Sequence, residues 1–188
     1  MNKKLTFLLS LTFLFLFSGS VYGEAPEVKR EFYFNGNLKS EVPYKNGKKK
    51  EFYFNGNLKS EVNYKNGKPE GLETGWSKSG EKAYEVPYKH GKLEGLETGM
   101  TLLGKYEIPW KNGKREGLAT SWYLFGKKHF ETHWKNSKRE GLDTYWYENG
   151  RKKSIEHFKD GLLDGMVTYW YSSGKKKSTS HYKNGIEN

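Results

Sequence analysis

Glycine sets the period of this chain. Gly36, Gly56, Gly80, Gly104, Gly126, Gly150 and Gly174 recur at intervals of 20 to 24 residues. A second series of turn dipeptides runs in parallel: Asn46-Gly47, Asn66-Gly67, His90-Gly91, Asn112-Gly113, Asn136-Ser137, Asp160-Gly161 and Asn184-Gly185. A fixed internal period of this length marks an array in which each unit packs only on its neighbours. The dipeptides supply the positive φ that tight hairpins need. Between them side chains alternate, with Leu142, Thr144 and Trp146 on one side and Asp143, Tyr145 and Tyr147 on the other. Period two is a strand. The pattern predicts an all-β chain: an elongated, single-layer antiparallel meander of about seven hairpin units.

Units one and two, Glu31 to Lys48 and Glu51 to Lys68, differ only at Pro43 versus Asn63, and both lack a Gly-Leu-x-Thr segment that the later units carry. They read as a recent tandem duplication. Unit four is two residues short around Leu103-Gly104, which predicts a bend or bulge there.

Composition decides that such a chain folds at all. Hydrophobic residues make up only 34%, but 16% are aromatic, too many for a solvated coil. There is no cysteine, which excludes disulfides, thiolate metal sites and a cysteine nucleophile. The N-terminus reads as a signal peptide over residues 1–23: Lys3-Lys4, an apolar run from Leu5 to Phe17, then Val21-Tyr22-Gly23 before Glu24. The apolar run is shorter than the ~20 residues of a spanning helix. The expectation is a bacterial protein exported to the periplasm, the cell surface or the medium, with a repeat domain over 24–188 and no transmembrane helix after cleavage.

A three-residue turn with a glycine bulge would place Phe32 opposite Leu38. With that register two columns are expected to line one core face: Phe32, Phe52, Trp76, Met100, Trp122, Trp146, Trp170, and Tyr44, Tyr64, Tyr88, Trp110, Trp134, Phe158, Tyr182. The opposite face would show a row of tyrosines, of which Tyr123, Tyr147 and Tyr171 are candidate binding residues. The second turns carry flanking lysines, including Lys65, Lys68, Lys89, Lys92, Lys111, Lys114, Lys135 and Lys138. With strands ~4.8 Å apart, these form a basic comb with teeth ~10 Å apart, suited to a polyanion or an anionic surface. Glu70, Glu94, Glu116, Glu140 and Asp164 lie just downstream and partly cancel its field.

Enzymatic constellations are missing from the pattern. Carboxylates copied from unit to unit lack the differing environments that separate a general acid from a base, and no phosphate loop or nucleophile elbow occurs. His133, His157 and His181 recur at 24-residue spacing. Such rings are ~10 Å apart, too far to share a zinc at ~2.1 Å per bond. No catalytic residue, cofactor or metal is expected.

The recurring Tyr/Trp-Lys-Asn-Gly-Lys-x-Glu-Gly-Leu-x-Thr-x-Trp-Tyr-x-x-Gly, nearly whole from Trp110 to Gly126 and from Trp134 to Gly150, resembles the MORN repeat, and more closely the bacterial variant grouped with YwqK-like antitoxin proteins. The resemblance spans about Glu31 to Gly185. It implies a β-hairpin ribbon that acts as an interaction scaffold without enzymatic activity. The expected partner is a protein or an anionic glycan or envelope surface, with nucleic acid ranked below them because of export. The alternative is a neutralising partner of an exported toxin or effector. The terminal strand, reached just after the turn at Asn184, is an edge through which the chain could self-associate.

Overall fold

The computed structural model describes residues 28–188; the predicted signal peptide lies outside them. Within them nineteen strands form one antiparallel sheet in a hairpin meander; the two-residue strands Lys68–Pro69, Lys92–Leu93, Lys114–Arg115 and Lys138–Arg139 pair only with the strand before them, which also pairs with the strand after them. The first hairpin, Val28–Phe32 with Leu38–Pro43, has Phe32 opposite Leu38 after a register shift beside Glu31. The same shift recurs at Phe52 and Leu58, Trp76 and Lys82, Trp122 and Lys128, Trp146 and Lys152, and Trp170 and Lys176. The chain turns through a loop that ends on a glycine of positive φ, Gly126 for example at φ 80°, and one residue stands out of the ladder. Unit four differs in the opposite sense from the sequence expectation. Thr101 pairs with Gly104 across a two-residue turn with no register shift, so the shortening removes the bulge.

The bulge corrects the predicted faces. Ser121 pairs with Phe130, and Ala119 with Thr132, while Trp122 pairs with Lys128. Side chains alternate along each strand, so Phe130, Thr132 and Trp134 share the face of Ser121 and lie opposite Trp122. The two aromatic columns therefore occupy opposite faces. The unpaired residue advances the alternation by one step, and the column beyond it changes side.

Neither column is the core. The buried residues are small: Val62, Ala119 and Val167, with Ser60, Ser121, Thr132, Asp143 and Ser154 on the same face, and Thr120 and Thr144 on the other. Larger rings reach them from the adjacent strands. A Cβ on Gly75 would lie 2.1 Å from the Tyr84 ring, and one on Gly99 would lie 2.5 Å from the Tyr106 hydroxyl. The sheet thus covers itself by laying rings over glycine and serine. Phe32 and Met100 of the first column, by contrast, are more than half exposed.

The second turns are built as the dipeptides predict. Asn66, His90, Asn112, Asn136, Asp160 and Asn184 have φ of 51–53° and are each followed by a second positive φ, at Ser137 as well as at the glycines. Two successive positive values define the type I′ turn, whose twist matches that of the strands. Asn46-Gly47 is the exception, with Gly47 at φ 134° and Asn46 outside the positive region. Beyond most of these turns the returning strand holds two extra residues. Tyr88 pairs with Leu93 but Glu85 pairs with Thr98, so Val86 and Pro87 face four residues beginning with Glu94-Gly95.

Successive units are joined at the first turns by tyrosine. The hydroxyls of Tyr33, Tyr53, Tyr123 and Tyr147 donate to the backbone carbonyls of Phe52, Trp76, Trp146 and Trp170, at 2.7–2.9 Å. Tyr147→Phe removes one such bond and leaves the ring. The expected cost is about 1 kcal/mol in urea denaturation of the full-length protein, the net worth of a neutral hydrogen bond.

Candidate binding surface

The lysines of the predicted comb stand on the second-turn edge of the sheet. Lys65 pairs directly across its hairpin with Lys68, Lys89 with Lys92, Lys111 with Lys114, and Lys135 with Lys138. All eight are exposed. Like charges directly opposed cost stability, so these pairs keep their ammonium groups in solvent. Among the described residues only Lys138 of the eight has a carboxylate within 4 Å, that of Asp160 at 3.6 Å. Their stems are packed, since a Cβ on Gly91 would meet the Lys68 stem at 3.3 Å and one on Gly161 the Lys138 stem at 3.7 Å.

The carboxylates downstream of these turns do more than offset charge. Glu70 Oε2 accepts the backbone N–H of His90 at 2.6 Å, and Glu94 that of Asn112 at 2.6 Å. Glu116 takes Asn136 at 2.7 Å, Glu140 takes Asp160 at 2.9 Å, and Asp164 takes Asn184 at 3.4 Å. A parallel backbone series joins Gly91 to Pro69 and Gly113 to Leu93. Each acid thus fixes the first residue of the next turn, and with it the position of the next lysine pair. Sequence reasoning missed this role, although the fixed spacing of Glu70-Gly71, Glu94-Gly95, Glu116-Gly117, Glu140-Gly141 and Asp164-Gly165 after their turns carries the signal.

The candidate tyrosines sit at the first turns rather than along a strand face. Tyr123 and Tyr147 use their hydroxyls to join units, and burial raises the Tyr123 hydroxyl above its ordinary range. Tyr171 is about half exposed. This edge also carries apolar tips: Leu102 is 96% and Phe125 87% exposed, with Leu103 and Leu124 beside them. The repeating histidines are tied to backbone, His133 Nδ1 to the Leu142 carbonyl at 2.8 Å and His157 Nδ1 to that of Met166 at 2.9 Å. Among the described residues no group of three acidic, histidine or cysteine side chains is placed to hold a metal ion.

On the core face Glu97 accepts from Trp110 Nε1 at 2.7 Å and from the Tyr106 hydroxyl at 3.2 Å. Burial, then the Glu97 charge, pushes that hydroxyl up to about 12. Asp143 is fully buried. Its Oδ1 accepts the His133 N–H at 3.1 Å, while Oδ2 lies 3.5 Å from Arg139 Nε with no hydrogen-bond partner. Burial raises its pKa, against the opposing pull of the His133 amide and Arg139.

The sequence profile of the MORN repeat variant matches residues 28–46, 45–66, 115–136, 139–160 and 163–184, more than half of the chain. This protein belongs to the MORN repeat variant family. The matched MORN repeats are those with a tyrosine at the first turn, and Tyr33, Tyr53, Tyr123 and Tyr147 among these tyrosines form the joint to the next unit. Between them lie units three and four, where Ser77 and Thr101 replace the tyrosine and one turn loses its bulge. No curated protein matches the chain. Among the described residues no helix is long and apolar enough to cross a membrane.

The buried Asp143 makes stability depend on pH in a defined sense. Its folded carboxyl holds the proton more tightly than the unfolded one, so its favourable contribution is full below about pH 4 and fades as pH rises through the raised value. Asp143→Asn should therefore gain stability relative to the parent between about pH 4 and pH 7, read from urea midpoints at both values.

Proposed function

We propose that this protein is an exported, non-enzymatic MORN scaffold that binds an anionic glycan or envelope surface through the lysines of its second turns. The observation that carries this reading is the spacing of Lys65, Lys68, Lys89, Lys92, Lys111, Lys114, Lys135 and Lys138: paired across type I′ turns, exposed, and all but Lys138 without a carboxylate within 4 Å among the described residues. Successive pairs stand two strands apart, about 10 Å, so a linear polyanion can meet several at once. The family's repeats form scaffolds that are generally without enzymatic activity.

A protein partner, including an exported toxin or effector that the chain would neutralise, is the second reading. It is favoured by the exposed tips Leu102, Leu103, Leu124 and Phe125 on the edge opposite the comb. Apolar anchors of this kind suit a protein interface better than a polysaccharide. Tyr171, exposed beside the last strand, would extend such a surface. The edge of that strand offers the same chain a route to self-association.

Replacing Lys89, Lys92, Lys111 and Lys114 together by Gln tests the comb. Retention on an immobilised sulfated polysaccharide should fall at least about tenfold, and the parent's retention should fall steeply with salt. Equal retention of parent and variant would contradict the proposal. A single protein captured from culture fluid by the parent, held at high salt and lost with Leu102→Ser and Phe125→Ser, would move the assignment to the second reading.

A further inference from the structure

The aromatic row nearest the basic turns follows one packing scheme with a single interruption. Arg115 lies between Trp110 and Trp134, its guanidinium 5.5 and 4.8 Å from the two ring centres, and Arg139 covers Phe158 at 4.9 Å. Each arginine sits directly across its own hairpin from a ring, Arg115 from Trp110 and Arg139 from Trp134. Leu93 holds that position opposite Tyr88. Opposite Tyr64 it is Pro69, where an arginine placed like Arg115 would lie between Tyr64 and Tyr88. Beside this pair lies an open cleft of about 710 Å³ whose lining includes Tyr64, Tyr88 and Gly71. A Cβ on Gly71 would meet nothing within 4 Å.

Tyr64 and Tyr88 are equivalent residues two strands apart, so about 10 Å separates them, room for one six-membered ring lying against a tyrosine face. Burial and the Glu73 carboxylate raise the Tyr88 hydroxyl above its ordinary range, which keeps it a neutral donor. Lys65 and Lys89 line the mouth beside Glu70 and Glu94. The two acids use Oε2 for the turn amides, and each Oε1 is without a hydrogen-bond partner among the described residues. Two positive and two negative charges cancel. Such a cleft therefore suits an uncharged ring with apolar faces and a rim of hydroxyls.

We propose that the cleft between Tyr64 and Tyr88 binds a neutral pyranose residue of a glycan, its apolar face against a tyrosine ring and its hydroxyls shared between the lysine ammonium groups and the free carboxylate oxygens. The site shares Lys65 and Lys89 with the comb and is independent of the comb's Lys111, Lys114, Lys135 and Lys138.

The test uses the full-length protein with cellotriose as probe, followed by calorimetry and ligand-observed NMR at low and high salt. Pro69→Arg and Pro69→Leu install residues that other units already carry at this position, so both variants should keep the sheet, checked by circular dichroism. The parent should bind cellotriose saturably and independently of salt, and both variants should bind at least about tenfold more weakly. Absence of saturable binding by the parent, or equal affinity in the folded variants, would overturn the proposal. Gln at Lys111, Lys114, Lys135 and Lys138 should leave cellotriose binding unchanged while weakening polyanion binding, so the two sites can fail separately.

Discussion

The carboxylate that follows a second turn and accepts the first N–H of the next turn, repeated from Glu70 to Asp164, is the contact on which the ribbon depends. A single-layer sheet has no second layer to press against, and its buried apolar residues among those described are few and small: Pro43, Val62, Ala119 and Val167. Order must pass from one unit to the next. On one edge it passes through Glu70, Glu94, Glu116 and Glu140 to the turn amides, and on the other through tyrosine hydroxyls to tryptophan carbonyls. Hydrogen bonds to a charged acceptor are stronger than neutral ones, so the acidic edge is the firmer of the two. It is also the edge that presents the lysines.

Much of this architecture is legible in the sequence because turn chemistry and alternation are local. Positive φ at Asn66, His90 and Asn112 follows from the dipeptides, and the bulged register that sets Phe32 opposite Leu38 follows from turn length. The faces are not legible in the same way, since the alternation slips at each bulge and carries Trp134 away from Trp122. The role of Glu94 is hidden for another reason. A glutamate beside lysines reads as charge balance, and only the extra Glu-Gly pair in the returning strand aims it at Asn112. Asp143 is harder still, because the same place in other units holds Glu73, Glu97, Ala119 and Val167. A position that varies from acid to valine gives no pattern to read.

Drift between units gives the ribbon its local character. The scaffold is repeated, but the residue packed between successive rings changes from proline to leucine to arginine, and the first-turn tips change from Asn-Gly loops to Leu102-Leu103. Repetition accounts for the evenly spaced lysines, which act together. Drift accounts for the cleft at Tyr64 and for the apolar tips, which stand singly. Repeat arrays tolerate such changes because each unit answers only to its neighbours.

Amide hydrogen exchange tests the central contact most directly. The N–H groups of His90, Asn112, Asn136 and Asp160 lie at hairpin tips, where an unbonded amide exchanges at nearly the rate of a free loop. Bonded to the preceding unit's carboxylate, they should be protected to a degree comparable with strand amides, and protection should be lost at Asn112 alone in Glu94→Ala. Exchange of all four at loop rates in the parent would contradict the account.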